Sequence, residues 1–433
     1  MFPPFPLTGP LPGRPMPMVT ITPVHRALVP VDSTAAVRVS APNYDEFQND
    51  SEIWELLQEN PGSALRVTMA HCDAASPEEI ARGDSPEALA RAAANMEELT
   101  ASALTHEVRD ILWVYEIGDP RRPGVRQIGL GGMARTDEIR TDATPDGTII
   151  RNEGIREPKA RGRAELFDAT RSIIGVVNNG VDDTSGRLQA DLEACADAAS
   201  PDLEVTDPAG NRHRVWIVSE AGAIRRFRDR LAGEPHAYVA DGNHRSAAAA
   251  MLGCEHFLSV FFPARTMGIR PYNRLVRVPP LPPDELAATV GEKFRLDTPD
   301  TGGPYQPGAT HNIGLYASGA GWTRLRPIPG TFDPGDAAEA IDAGIVQKNL
   351  FAHVFGIDDA ADRRLVFVGS NRDAAWLERE VDERRANYAV TLPAVTMEEF
   401  IEVCRQGRQM PPKSTWFEPK VRTGLVMALL DPV

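Results

Sequence analysis

A short polar turn between two apolar segments has the residue types of a phosphate-binding site. The run 237–240 is apolar and predicts a buried strand, and the alanine-rich run 246–252 predicts a helix. Asp241 and Gly242 form the turn between them, because glycine adopts backbone angles that other residues resist. The helix then begins near Asn243, with unpaired N–H groups and its positive dipole end facing outward. Helix starts of this kind bind phosphate.

The next two residues add hydrogen-bond donors and charge at the same point. His244 and Arg245 follow the turn directly. An ordinary strand–turn–helix joint, with Asp241 as the helix cap and Arg245 in solvent, has the same pattern, because short motifs often match by accident. The turn alone therefore leaves both interpretations open.

A carboxylate beside a cluster of basic residues forms the second candidate. Residues 148–153 predict a strand that ends at Asn152 and Glu153. Basic residues then lead into a predicted helix, at Arg156, Lys159, Arg161 and Arg163. Such cations can hold a polyphosphate while the carboxylate takes a proton. A solvated helix face has the same composition, and that alternative stays open.

Two later segments contribute further polar residues. Segment 270–276 places Asn273 and Arg274 among alternating apolar residues, facing either a cleft or water. Segment 410–420 has neither a strand nor a helix pattern, and two prolines fix its start. Its lysines, hydroxyls and aromatic residues predict either a lid over an anion or a structural C-terminal arm.

Alternating strand and helix patterns must position these residues. The predicted strands also include 110–117, 126–133, 212–218, 257–263, 365–369 and 388–392, and 65–70, where apolar and polar residues alternate. The predicted helices are 85–104, 220–231, 373–382 and 397–404. This mixture predicts an α+β (mixed α/β) fold.

Composition excludes several classes of protein. A chain of 433 residues with 42% hydrophobic and 25% charged residues predicts a soluble protein of two or three domains. The net charge of −15 repels nucleic-acid phosphates, and no apolar run is long enough to cross a bilayer. Four widely separated cysteines without metal-ligand spacing indicate reduced thiols and a cytoplasmic location. The sequence does not decide the oligomeric state, and a homodimer is possible.

We expect four segments along the chain. They are a disordered proline-rich tail over 1–20, an N-terminal α/β domain over 21–140, a nucleotide-binding catalytic core over 141–300, and a C-terminal α/β domain over 301–433 that ends in the lysine-containing loop.

These strings, in this order, resemble one large family of bacterial and archaeal proteins of unknown function. Its members carry an Asp-Gly-His-His-Arg motif and are related to the ParB/sulfiredoxin-like free serine kinases. The resemblance runs from 26–28 and from 41–45, Ala-Pro-Asn-Tyr-Asp, to 411–420, Pro-Pro-Lys-Ser-Thr-Trp-Phe-Glu-Pro-Lys. It implies a ParB-like nucleotide-binding core over 141–300, flanked by the other α/β segments.

The resemblance also implies roles for individual residues. The catalytic residues would be Glu153, as base on a substrate hydroxyl, Asp241 and His244. The nucleotide and phosphate ligands would be Gly242, Asn243, Arg245, Lys159 and Arg163, and the substrate ligands would be Asn152, Tyr272, Asn273 and Arg274. The chemistry of the residues themselves adds Lys413, Ser414, Thr415 and Lys420, which could close over the phosphates, and Asp241, which could hold Mg²⁺.

Two positions depart from the family pattern beside this chemistry. Asn152 stands where the family usually has histidine before the glutamate, and Asn243 where it has the first histidine of His-His. Asparagine donates a hydrogen bond but cannot carry a charge or shuttle a proton. The change indicates another substrate, another nucleotide preference, or binding without turnover.

The leading hypothesis is a kinase that uses ATP or ADP to phosphorylate a small free amino acid, L-serine first, to O-phospho-L-serine. A nucleotide-binding regulatory or scaffold protein is the first alternative, and a phosphatase of a phosphorylated small metabolite is the second.

Overall fold

The computed structural model describes residues 18–300 and 302–431, and it has mixed α/β architecture, as the sequence predicts. Its strands in the first half are β1 Val24–Pro30, β2 Thr105–Gly118, β3 Gln127–Arg135, β4 Ile149–Arg151, β5 Ser172–Ile173, β6 Val177–Val181, β7 Leu203–Thr206, β8 Arg212–Val218 and β9 Ala237–Asp241. Those in the second half are β10 His256–Pro263, β11 Ile269–Arg270, β12 Asn273–Val276, β13 Phe294–Asp297, β14 Ile313–Ala317, β15 Gly321–Pro327, β16 Leu365–Val368, β17 Tyr388–Thr391, β18 Trp416–Phe417 and β19 Met427–Leu429.

The α-helices surround these strands. They are α1 Ser33–Val39, α2 Asp50–Glu59, α3 Leu65–Thr68, α4 Pro86–Ala101, α5 Glu157–Thr170, α6 Arg187–Ala198, α7 Ala221–Leu231, α8 Asn243–Met251, α9 Pro283–Gly291, α10 Ala337–Ala340, α11 Asp342–Val346, α12 His353–Phe355, α13 Ala374–Asp382 and α14 Met397–Arg405. Within the described residues, no helix has the length and apolar content needed to span a membrane.

Two large sheets organise the described residues, beside a two-stranded sheet of β11 and β18. The larger one has the order β4-β9-β6-β10-β3-β2-β1-β19-β5, and β8 joins it by pairing with β2 and with β7. The smaller one has the order β13-β15-β14-β17-β12-β16. In the larger sheet, β9 pairs with β4 in parallel and with β6 antiparallel. Helices cover these strands, as the burial of their apolar residues requires.

The larger sheet crosses two of the expected segment boundaries. It joins β3 from the N-terminal segment to β10 from the middle segment, and β19 from the end of the chain to β1. The three-domain division remains a prediction. The tail predicted for residues 1–20 lies outside the described residues except at 18–20.

One predicted strand is wrong. Residues 65–70 alternate in polarity, but Leu65–Thr68 form helix α3, which packs against α4. Leu65 and Val67 are both buried, although they lie two residues apart, because α2 and α4 cover this one-turn helix from more than one side. A period of two over six residues is too short to distinguish a strand from such a turn.

Close packing between β2 and β3 requires a glycine. The Trp113 indole lies directly over Gly131, so a Cβ at that position would overlap the ring. We expect Gly131→Ala to lower the free energy of unfolding by about 1–3 kcal/mol, the usual cost of overpacking a core. Gly162→Ala in α5 is the control, since nothing lies within 4 Å of the added methyl group. It should gain up to about 1 kcal/mol of helix propensity.

Denaturant unfolding followed by circular dichroism measures both variants. Equal midpoints for Gly131→Ala and the parent protein would contradict the packing described for Trp113.

Candidate active site

The parallel pairing of β4 and β9 brings the two proposed halves of the site together. Arg151 is the register partner of Val239, so the residues two positions later, Glu153 and Asp241, emerge at the same edge of the sheet. Side chains two positions apart share a face of a strand. The acidic residue from the middle of the chain therefore faces the strand–helix turn.

Helix α8 begins at this edge with an open N-terminus. Gly242 has φ 104°, a conformation that favours glycine, and no side chain hydrogen-bonds to the first amides of the helix. Asp241 therefore does not cap the helix, as it would in an ordinary strand–turn–helix joint. The first-turn N–H groups and the positive end of the helix dipole are available to an anion.

The open helix end borders a small polar cavity. Its volume is about 60 Å³, room for a few water molecules or one phosphoryl-sized group rather than a whole nucleotide. It is lined by Tyr44, Asp45, Glu153, Lys159, Ala240, Asp241, Gly242, Asn243, His244, Arg245, Tyr272, Lys413, Thr415 and Lys420. Four of these side chains are cations and three are carboxylates, so the cavity favours an anion.

A lysine stands between two of the carboxylates. Lys420 Nζ lies 3.0 Å from an Asp45 oxygen and 3.5 Å from an Asp241 oxygen. Burial alone would raise the pKa of each aspartate, but Lys420, with Lys413 and, at Asp241, Arg245, together outweigh burial, so both pKa values are lowered. Arg245 also pairs with Asp241, at 3.1 Å. These cations are therefore already partly neutralised.

One cation in the cavity has no such partner. Among the described residues, no carboxylate pairs with Lys159, whose Nζ lies 5.0 Å from the centre of the Tyr44 ring. Lys413 is only weakly paired, since its Nζ lies 3.9 Å from the Asp45 carboxylate. Lys159 and the α8 amides are thus the donors most available to an incoming phosphate.

Glu153 has the electrostatics of a proton acceptor. Burial raises the pKa of its carboxyl group, and nearby Lys413 opposes that rise only in part. The backbone N–H of Lys413 donates to Glu153 Oε1 at 3.2 Å. A carboxylate with a raised pKa, held in place by one donor, takes a proton more readily than a solvated one.

His244 is neutral, which corrects the expectation that it adds charge at the turn. Burial lowers its pKa to about 4, and the cations Lys159 and Lys413 act in the same direction. Its Nε2 accepts a hydrogen bond from the backbone N–H of Arg156 at 3.1 Å. His244 can therefore donate one hydrogen bond through Nδ1 but cannot pair as a cation with phosphate.

The two asparagines that depart from the family pattern contact each other. Asn243 Nδ2 donates to Asn152 Oδ1 at 2.8 Å, and both side chains are buried. Asn152 Nδ2 and Asn243 Oδ1 have no hydrogen-bond partner among the described residues. Asn243 lines the cavity, so its free oxygen can accept a hydrogen bond from a ligand.

The segment 410–420 is anchored to the core and forms a wall of the cavity. The Met410 N–H donates to the Asn152 carbonyl at 2.8 Å, and β18 pairs with β11. The Arg274 guanidinium donates to the Lys413 carbonyl at 3.0 Å. Burial lowers the pKa of Arg274 to about 10. The segment is a fixed arm that presents Lys413 and Lys420 to the cavity, and its predicted role as a lid over an anion stays a prediction.

Comparison with known proteins identifies the family. The model of the family described as "Protein of unknown function (DUF1015)" matches residues 21–350. The chain belongs to this family. The membership predicted from the sequence is therefore confirmed. A separate search among curated proteins found no match to this DUF1015 chain.

Several solved structures are distantly similar to this DUF1015 protein. A free serine kinase mutant in complex with ADP has 13% identity, a TM-score of 0.36, and coverage of 66% of this chain and 87% of its own. A conserved hypothetical protein from Pyrococcus furiosus has 13% identity, a TM-score of 0.35, and coverage of 68% and 95%. SbnI from Staphylococcus aureus, truncated at its C-terminus, has 11% identity, a TM-score of 0.36, and coverage of 68% and 87%. Likenesses at this level carry no functional argument.

Some predicted site residues of the DUF1015 protein lie outside the cavity. Asn273 fixes the chain by bonding to Gln306 and to the backbone of Leu392, and Ser414 donates to the Pro411 carbonyl. Arg163 lies 4.3 Å from the centre of the Tyr44 ring. The other predicted residues that do not line the cavity are Arg274 and the buried Asn152. None of these five lines the cavity, and their predicted binding roles stay predictions.

Three cavity residues were not predicted, Ala240 of β9 and two polar residues from earlier in the chain. Tyr44 and Asp45 come from the loop before α2, and Asp45 is the residue that Lys420 holds most closely. Their signal in the sequence was the string 41–45, which carried the family resemblance but suggested no chemistry by itself.

The predicted Mg²⁺ ligand, Asp241, is held by Lys420, which lies between it and Asp45. Its role as a metal ligand stays a prediction. Elsewhere, Asp50, His71 and Cys72 each offer one ligand atom, all within 4.8 Å of one another. Burial raises the pKa of the Cys72 thiol to about 12, so its metal-binding thiolate form is disfavoured.

The raised pKa of Glu153 predicts that Glu153→Gln stabilises the protein at neutral pH. A carboxyl whose pKa is raised on folding contributes stability below its unfolded pKa and loses it as pH rises through the folded pKa. The amide keeps the oxygen that accepts from Lys413 and removes the cost of the buried charge. The gain over the parent protein, measured by denaturant unfolding, should therefore be present at pH 7 and absent below about pH 4.

The exposed Glu157 provides the control, since Glu157→Gln should change stability equally little at both pH values. A Glu153→Gln protein that is less stable than the parent at pH 7 would contradict the raised pKa.

Lys420→Met should cost about 3 kcal/mol at pH 7, because it removes the cation that lies between two partly buried carboxylates. The lowered pKa values of Asp45 and Asp241 contribute stability above about pH 4, and that stability is lost as pH falls. The deficit of the variant should therefore shrink on acidification. Denaturant unfolding from pH 7 downward measures it.

Adding Asp45→Asn to Lys420→Met should restore part of the loss, since one unpaired charge is removed. The exposed Lys348 provides the control, and Lys348→Met should change stability by less than about 0.5 kcal/mol. A loss in Lys420→Met that does not depend on pH would contradict the ion-pair account.

Proposed function

We propose that this DUF1015 protein is a phosphotransferase that moves a phosphoryl group from ATP or ADP to the hydroxyl of a small free amino acid, with L-serine as the first candidate. One observation carries the proposal: a carboxylate with a raised pKa and an open helix N-terminus share a cationic, phosphoryl-sized cavity. Phosphoryl transfer needs mainly positioning and charge neutralisation, and this cavity has the parts for both.

The donors of the cavity fit the transferred phosphoryl group. The first-turn amides of α8 and the Lys159 ammonium are available, and Lys413 lies beside Glu153. In the reaction, a bond forms between the substrate oxygen and phosphorus as the bond from phosphorus to the nucleotide oxygen breaks. The hydroxyl proton passes to Glu153, and the nucleotide leaves with one phosphate fewer.

The unpaired acceptors of the cavity fit an amino-acid substrate. Asp45 Oδ1 and Asn243 Oδ1 are buried and have no hydrogen-bond partner among the described residues. The ammonium of a free amino acid brings three donors to such acceptors, and a plain alcohol brings only one. This match favours an amino acid over other small alcohols.

The four free cysteines support a cytoplasmic location as part of the same proposal. A nucleotide-bound Mg²⁺ is not assigned to Asp241, because Lys420 and Arg245 already hold that carboxylate. Nucleotide binding without turnover is the second candidate function, favoured by the two buried asparagines, which cannot shuttle protons.

Glu153→Gln should lower turnover by about a hundredfold or more, because it removes the proton acceptor, while nucleotide affinity changes little. The measurement is phosphorus NMR of the purified protein incubated with ATP or ADP and a set of hydroxy amino acids, with nucleotide binding followed by calorimetry. Glu157→Gln is the matched control on the adjacent exposed helix turn and should keep full activity.

Equal turnover in the parent and Glu153→Gln proteins would remove Glu153 from the mechanism. Nucleotide binding without any serine-dependent consumption of ATP or ADP would favour the regulatory or scaffold function. Release of phosphate from a phosphorylated metabolite without nucleotide would favour the phosphatase.

A further inference from the structure

A second cavity, ten times larger, lies on the smaller sheet. Its volume is about 640 Å³, within the range of roughly 300–1,000 Å³ typical of small-molecule sites. It lies among α9, β13, β14, β15 and the start of β17. None of its lining residues lines the candidate active site, so it is a separate feature of the molecule.

The walls of this cavity are more apolar than polar. Leu286 and Val290 of α9 form one side, and Leu315 and Tyr388 of the sheet form another. Leu296 also borders the cavity and leaves 37% of its surface exposed, a large value for a leucine. Apolar walls that enclose this much space bind the apolar body of a ligand.

One unpaired cation borders the same cavity. Arg384 is exposed and lines it, directly after the end of α13. The nearby carboxylates of Glu380 and Glu383 both bond to Arg385, so Arg384 has no carboxylate partner among the described residues. Its backbone adopts φ 61°, the left-handed conformation that commonly ends a helix.

We propose that this cavity binds a small molecule with an apolar body and one anionic group, and that Arg384 pairs with the anion. The volume and the apolar walls indicate the size and the apolar character of the ligand body, and the unpaired guanidinium indicates that the ligand carries a negative charge. An arginine that has no internal carboxylate partner binds a ligand carboxylate or sulfonate through two parallel hydrogen bonds. The proposal does not depend on the phosphotransferase function.

Two fluorescent probes test separately whether the cavity binds an apolar body and whether Arg384 binds an anionic group. The anionic probe is 8-anilinonaphthalene-1-sulfonate, and the neutral probe is N-phenyl-1-naphthylamine, which has the same rings without the sulfonate. Both are titrated into the full chain. Ala287→Phe fills the cavity from an exposed position on α9 and should weaken both probes by about tenfold or more. Ala288→Phe, exposed on the same helix but outside the cavity, should change neither.

Arg384→Gln should weaken the anionic probe by about tenfold and leave the neutral probe unchanged, because only the charged hydrogen bonds are lost. Arg379→Gln, on an exposed turn of α13 outside the cavity, is its control and should change neither. Thr323→Phe narrows the opposite wall and repeats the test if Ala287→Phe lowers the unfolding midpoint.

Unchanged affinity for both probes in Ala287→Phe and Thr323→Phe would overturn the proposal, since the probes would then bind elsewhere. Equal weakening of the two probes by Arg384→Gln would overturn the assignment of the anion to Arg384.

Discussion

The candidate active site depends on one short parallel contact between β4 and β9 at the edge of the larger sheet. Three residue pairs set its register, and that register places Glu153 opposite Asp241. A slip of one residue would turn Glu153 to the other face of the sheet and empty the cavity of its proposed base. The Met410 N–H, which bonds to the carbonyl before Glu153, stabilises this edge from the other side.

Electrostatic pairing decides which groups of the cavity remain available. Lys420 and Arg245 are largely consumed by Asp45 and Asp241, which lowers the pKa of both aspartates. Glu153 lacks a comparable ion pair, and burial raises its pKa instead. Carboxylates that line the same cavity thus acquire opposite tendencies toward protons, as acidic groups with different roles in one active site commonly do.

The two departures from the family motif form one change in space. Asn152 and Asn243 lie far apart in the sequence, yet their amides bond to each other beneath the cavity. Neither amide titrates, so these two side chains do not change charge near neutral pH. They are polar but cannot exchange protons, so the proposed chemistry rests on Glu153.

The sequence alone determined the features that depend on neighbouring residues. It predicted the strand–turn–helix around Gly242, because the conformations of β9, the turn and α8 follow from local apolar pattern and glycine. It could not distinguish α3 from a strand, because one helical turn is too short to show a period. The role of Asp45 in the site was visible only in the tertiary structure. Its partner Lys420 lies 375 positions away in the sequence, and a contact over that distance leaves no local sequence pattern. The neutral state of His244 was also decided there, because burial and surrounding cations, rather than its own sequence neighbours alone, set its pKa.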